Sequence, residues 1–241
     1  MTNKLLAGLI FFIVVFSSGS IIAQNKKLTL EDIYTNGQYS SKGIGQIRWM
    51  KDNKSYSTLE FNISAKGNDI VRYEVASGTK SVLVNAVQLL PQGAAKPLGI
   101  DDYTWSYDNN QLLLFTNTRK VWRYNTRGDY WVLNLASGKL KQLGKGLEAS
   151  TLMFAKFSPD GGRVAYVSKL NIYVEDITTG KITQLTKDGG GNIINGTFDW
   201  VYEEELDCRD GFRWSPNGAT IAYWQSDTKG IGTFYLINNT D

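Results

Sequence analysis

The chain has 241 residues, 42% of them hydrophobic, with 26 basic and 23 acidic side chains for a net charge of +3. The basic residues are scattered and form no arginine-rich stripe or aromatic-basic patch, so a nucleic-acid partner is not expected. There is no histidine and a single cysteine, Cys208. An internal disulfide is therefore excluded, zinc chemistry is left with little but oxygen ligands, and no cofactor is expected.

The N-terminus carries Lys4, an apolar run from Leu5 to Phe16, and small or polar residues ending at Ala23. A bilayer-spanning helix needs about 20 apolar residues, so the pattern reads as a signal peptide over residues 1–23 with cleavage after Ala23. This places the mature chain in the periplasm or outside the cell; an uncleaved N-terminal membrane anchor is the alternative. The segment Leu28–Ile33 fits a single helical turn capped by Thr29.

From there the chain reads as repeated β-structure. An aromatic marker followed by a polar turn recurs at Trp49, Trp105, Phe157 and Trp214, in steps of 56, 52 and 57 residues. The last two copies read Phe157-Ser158-Pro159-Asp160 and Trp214-Ser215-Pro216-Asn217, and an apolar strand follows each. Third strands lie at residues 71–75, 130–135 and 171–176. Each is followed by a turn containing Gly78, Gly138 or Gly180, glycines that supply the positive φ a tight hairpin needs. Such spacing fits four-stranded propeller blades. The expected fold is all-β, a β-propeller with about four blades present. Residues 234–237 read as one more strand, so the last blade is expected to be unfinished and residues 24–241 to be the N-terminal portion of a larger propeller domain.

The seven residues Asp199-Trp200-Val201-Tyr202-Glu203-Glu204-Glu205 place three consecutive carboxylates after an aromatic anchor. Crowded carboxylates oppose one another's ionisation unless a cation lies among them. A primary ammonium, with three N–H donors, suits such a cluster. The simpler reading is a solvated acidic loop. A calcium site using Asp199, Glu203 to Glu205, Asp207 and Asp210 is a further alternative, although the spacing is not that of an EF-hand.

The string from Asp199 to Leu206, followed by Phe212-Arg213-Trp214-Ser215-Pro216-Asn217-Gly218 and Ala222-Tyr223-Trp224, resembles the N-terminal propeller of the dipeptidyl peptidase IV family of secreted serine exopeptidases. The resemblance extends upstream to Leu28–Ile33 and Gly45–Trp49. It implies part of an eight-bladed propeller that caps an α/β-hydrolase domain absent from this sequence, and release of N-terminal dipeptides. It further implies that Glu204 and Glu205 hold the free N-terminal amine of a peptide and that Arg123, after Trp122, contacts a substrate backbone carbonyl. Glu203 is expected to pair locally or to face solvent. Family members commonly dimerise, so a homodimer is also implied.

With no histidine and no Gly-x-Ser-x-Gly elbow, a Ser-His-Asp triad cannot be assembled from this sequence, and the chain alone is expected to be inactive. The alternative is a stand-alone propeller that acts as a non-catalytic binding or scaffold module.

Overall fold

Four turns of one construction punctuate the chain. The backbone N–H of Met50, Ser106, Ser158 and Ser215 donates to the carbonyl five residues on, at Ser55, Gln111, Arg163 and Thr220, over 2.8–3.0 Å. Inside each turn the third residue on, Asn53, Asn109, Gly161 or Gly218, donates back. These four adopt φ of 52°, 58°, 70° and 67°. Only asparagine and glycine occur there, because the left-handed region is costly for other side chains. An acid or amide supplies the remaining acceptor. Asp108 Oδ1 accepts from Asn110 N at 3.0 Å, Asp160 Oδ1 from Gly162 N at 3.0 Å, and Asn217 Oδ1 from Ala219 N at 3.0 Å. Asp52 accepts from Lys54 N and Ser55 N, and these bonds, with help from the Ser55 hydroxyl and Arg72, hold its carboxyl at about 2. The Ser-Pro-Asp/Asn-Gly string is thus a self-capping turn.

A computed structural model describes residues 27–41, 43, 45–232 and 234–240. The expected signal peptide lies outside the described residues. The chain divides into two units, Met1–Ile44 and Gly45–Asp241. In the first, Glu31–Thr35 forms one π-helical turn whose N-cap position is Leu30, and Thr29, one residue earlier, accepts from Asp32 N through Oγ1 at 3.1 Å. No helix among the described residues is long and apolar enough to cross a membrane.

The second unit is built from blades. The first pairs β1 (Arg48–Trp49), β2 (Ser55–Asn62), β3 (Gly67–Glu74) and β4 (Lys80–Val84) in sequence order. The next pairs β5 (Ile100–Trp105), β6 (Gln111–Val121), β7 (Tyr124–Asn134) and β8 (Leu140–Gln142). A third joins β9 (Met153–Phe157), β10 (Arg163–Ser168), β11 (Asn171–Asp176) and β12 (Ile182–Gln184). All these neighbours are antiparallel. The hairpin glycines at 78, 138 and 180 have φ of 68°, 67° and 74°, as their turns require. The fourth marker opens a two-stranded sheet, β14 (Phe212–Trp214) with β15 (Ile221–Tyr223). Beside it β13 (Ile193–Asn195) pairs with β16 (Gln225–Asp227). Residues 234–237, read as a strand, form none and are highly exposed.

Successive side chains of a strand point to opposite faces, so a strand buried on both faces reads as a continuous apolar run. Leu112 and Leu114 of β6 pack with Ile70, Val84, Leu89, Ile100 and Tyr103 of the first two blades. Leu113, between them, packs with Tyr130, Leu152, Val164 and Tyr166 toward the third blade. On β10 the alternation repeats: Val164 and Tyr166 face the second blade, whereas Ala165 and Val167 pack with Met153, Ile172 and Phe212. Indole donors add polar ties between blades, Trp105 Nε1 to Ser57 Oγ at 2.9 Å and Trp214 Nε1 to the Lys156 carbonyl at 3.2 Å.

Candidate functional site

The acidic run forms a helix, not a loop. This helix, α1, spans Trp200–Leu206, between β13 and β14. Asp199 is its N-cap, with Oδ1 accepting from Tyr202 N at 3.1 Å. At its other end Asp207 adopts a left-handed conformation, φ 52°, and Cys208 N donates to the Tyr202 carbonyl at 3.0 Å. Phe198 stacks on Tyr202, centroids 5.2 Å apart, and lies 6.0 Å from the Trp224 ring. These contacts hold in place a short helix that three adjacent like charges would not sustain alone.

Helical geometry separates the three carboxylates by about 100° per residue. Glu203 turns inward and is buried, Glu204 is mostly covered, and Glu205 is exposed. Of the two expectations for Glu203, local pairing or exposure to solvent, its burial overturns the second. Its Oε1 has no hydrogen-bond partner among the described residues. Burial is the main cause that pushes its carboxyl above the usual carboxylate range; Arg209 opposes the shift, and Glu204 and Asp207 add to it.

The second component comes from the long hairpin of β6 and β7. Val121 pairs with Tyr124, so Trp122 and Arg123 alone form the tip. Trp122 has φ of 53°, an uncommon conformation for a bulky residue. From this tip Arg123 Nε donates to Glu204 Oε1 at 2.6 Å, the guanidinium side chain 71% exposed and the carboxylate side 10%. Beside it, the Arg209 guanidinium lies 4.2 Å from the centroid of the Tyr124 ring and pairs with Asp207. The structure therefore brings Arg123 and Glu204 into contact, while Glu205 makes no side-chain hydrogen bond or ion pair among the described residues. Sequence reading missed Arg209 and Tyr124, whose partnership spans 85 positions and leaves no local pattern.

The other acids of this stretch are engaged separately. Asp210 pairs with Lys156 and Arg213, at 2.5 and 2.9 Å. With Asp199 capping α1 and Asp207 held by Arg209, the carboxylates of the calcium alternative point to different partners. No group of three or more potential metal-ligating side chains is found among the described residues. A cavity of about 1100 Å³ lies along β5 and β9, with Trp105, Tyr130, Lys156 and Phe157 in its walls, and no residue of α1 lines it.

Residues 106–241 match the family model for the dipeptidyl peptidase IV (DPP IV) N-terminal region. The chain belongs to this family. Dipeptidyl aminopeptidase B of Saccharomyces cerevisiae is 31% identical over 195 residues, covering 79% of this chain and 23% of that protein. Probable dipeptidyl peptidase 4 of Aspergillus fumigatus is 32% identical over 192 residues, covering 76% and 24%. The crystal structure of Porphyromonas gingivalis dipeptidyl peptidase 4 superposes with a TM-score of 0.71 at 31% identity, covering 84% of this chain and 28% of that one. The chain thus spans about a quarter of the length of these relatives. The blades described above are those of a dipeptidyl peptidase IV N-terminal propeller.

Proposed function

We propose that this chain is the part of a dipeptidyl peptidase IV-like serine exopeptidase that recognises the free N-terminal amine of a peptide, with Glu204 and Glu205 as its acceptors and Arg123 beside them. The observation that carries the reading is the Arg123–Glu204 contact, 2.6 Å between groups 81 positions apart. A helix carrying two adjacent carboxylates, one already opposite a cation, is arranged to hold positive charge. An incoming ammonium can pair with the exposed Glu205 and with the Glu204 oxygen that Arg123 leaves unbonded, while Arg123, largely exposed, keeps N–H donors free for a substrate carbonyl.

Fixing the ammonium sets the number of residues that reach the nucleophile, so the bond cleaved lies a fixed distance from the N-terminus. An acetylated peptide offers no cation and leaves the carboxylates without their partner, a loss of several kcal/mol where the site is closed from water. The serine, aspartate and histidine of hydrolysis are supplied by a hydrolase domain outside this sequence, which contains no histidine. The apolar run Leu5–Phe16 supports export of the protein, and N-terminal sequencing of the mature product tests cleavage after Ala23.

The site is tested by kinetics on the full-length protein with a chromogenic dipeptide substrate, its amine free or acetylated. Glu204→Gln and Glu205→Gln should each lower kcat/KM for the free-amine substrate by about 100-fold or more, the loss that follows when one charge-assisted partner is removed. Equal turnover of the acetylated and free-amine substrates would exclude the reading.

A further inference from the structure

Arg123 stands opposite Glu204, yet little around Arg123 fixes it there. It is exposed, at the tip of a hairpin, next to a residue in an unfavourable backbone conformation. The next residue, Tyr124, which opens β7 beside the tip, is gripped. Arg209 lies over its ring at 4.2 Å, and Arg209 is itself well held. Its guanidinium pairs with Asp207, the residue that ends α1, and its carbonyl accepts from the buried Thr197 hydroxyl at 3.1 Å. The segment containing α1 is closed at its base, where Thr197 bridges Asp210 and Gly211 N donates to the Gly196 carbonyl at 3.1 Å. Arg123 at the tip and Tyr124 beside it therefore meet the α1 segment at two points, one through an ion pair and one through a cation held over an aromatic face.

We infer that Arg209 is a positioning residue of the amine site: stacked on Tyr124, it holds the hairpin tip against the end of α1 so that Arg123 and Glu204 remain opposed, and it does not itself touch the peptide. The inference rests on the amine-binding reading above. Guanidinium suits this role because it stacks flat on a ring while its edge bonds a carboxylate, which a lysine ammonium cannot do together.

The test is steady-state kinetics of the full-length protein, with active-site titration to count competent molecules. Arg209→Met and Tyr124→Ala should each raise KM for a free-amine dipeptide substrate about tenfold with kcat nearly unchanged, as the loss of a partly buried cation–aromatic contact that serves binding would give. Tyr124→Phe keeps the ring and should keep the parent KM. The double variant should be no worse than either single one, because both remove the same contact. Should Arg209→Met fail to fold, Tyr124→Ala, which leaves the Arg209–Asp207 pair intact, carries the test. An unchanged KM in Tyr124→Ala, or fully additive effects in the double variant, overturns the positioning role while a raised KM in Glu204→Gln preserves the amine reading. An unchanged KM in Glu204→Gln overturns both.

Discussion

Lys156 Nζ lies 2.5 Å from Asp210 Oδ1, across the gap between the third blade and the segment leading into β14. The pair repeats an earlier one, Arg48 with Asp102 at 2.5 Å, which joins the first blade to the second. In both, the basic residue stands two positions before the turn residue, Met50 or Ser158, and the acid belongs to the next blade. Lys156 additionally donates to the Phe154 carbonyl at 3.0 Å and lies 3.5 Å from the centroid of the Phe212 ring.

Burial lowers the Lys156 pKa from 10.5 to about 8, against the pull of Asp210 in the other direction. A lysine with a depressed folded-state value burdens the fold wherever it is charged in both states, that is below about 8. The burden lifts as pH rises toward 10.5, because the folded state then releases its proton first. The urea midpoint of the parent chain should therefore gain on that of Lys156→Met between pH 8 and pH 10. A constant gap between the two across that range would show that Lys156 is not depressed.

The two blade-to-blade pairs should differ in worth. Lys156 and Asp210 are the more covered pair, their side chains 23% and 31% exposed against 34% and 41% for Arg48 and Asp102. Asp210→Asn leaves a desolvated ammonium without its carboxylate and should cost about 2 kcal/mol, whereas Asp102→Asn should cost about 0.5–1 kcal/mol. Denaturant titration of the two variants decides this, and a larger loss in Asp102→Asn would reverse the ranking.

Glu203 provides a prediction of opposite sign. Its folded-state pKa is raised, mainly by burial, so its proton is retained in the folded chain at a pH where the unfolded chain has lost it. Stability from this group is fully present below its ordinary value near 4.5 and falls as pH rises through the raised one. Glu203→Gln removes the charge and should stabilise the chain at neutral pH by about 1 kcal/mol, because a buried amide costs less to desolvate than a buried carboxylate. The advantage should vanish near pH 4. Melting temperatures of the two chains at pH 4, 5.5 and 7 report it, and a destabilised Glu203→Gln at pH 7 would mean that the carboxylate has an essential partner.

The blades were legible in the sequence because their determinants are local. A left-handed Asn or Gly three residues into each turn, an Asp or Asn side chain closing it and a glycine in each outer hairpin sit within a few residues of one another. The run Leu112-Leu113-Leu114, which carries no alternation to mark a strand, becomes intelligible only once both of its faces are seen to be covered. The helix α1 was hidden because its support is not local: Phe198 and Tyr202 depend on Trp224, and Glu204 depends on Arg123. Three like charges in a row also read as solvated surface, and only the helical turn between Glu203 and Glu205 explains why one is buried and the other exposed. Residues 234–237 show the converse, since an apolar string signals a strand only where a neighbouring strand is available to pair.

Gly128 links the stability of the second blade to the placement of the site. It lies on β7, five residues after Arg123, where its N–H and carbonyl exchange bonds of 3.0 Å with Leu152 ahead of the third blade. A Cβ added here would fall inside contact distance of the Phe115 ring and 2.7 Å from the Thr116 carbonyl oxygen. Phe115 cannot readily give way, because it is stacked on Tyr130 with centroids 4.6 Å apart. Either the stack opens or β7 moves away from β6, and both loosen the hairpin that carries Arg123. Gly128→Ala should therefore cost about 3 kcal/mol, at the upper end for overpacking at a tight site. It should also speed tryptic cleavage after Arg123 relative to the other exposed arginines. A melting temperature equal to that of the parent, with an unchanged cleavage pattern, would mean that the hairpin accommodates the methyl group and that its tip is held independently of this crossing.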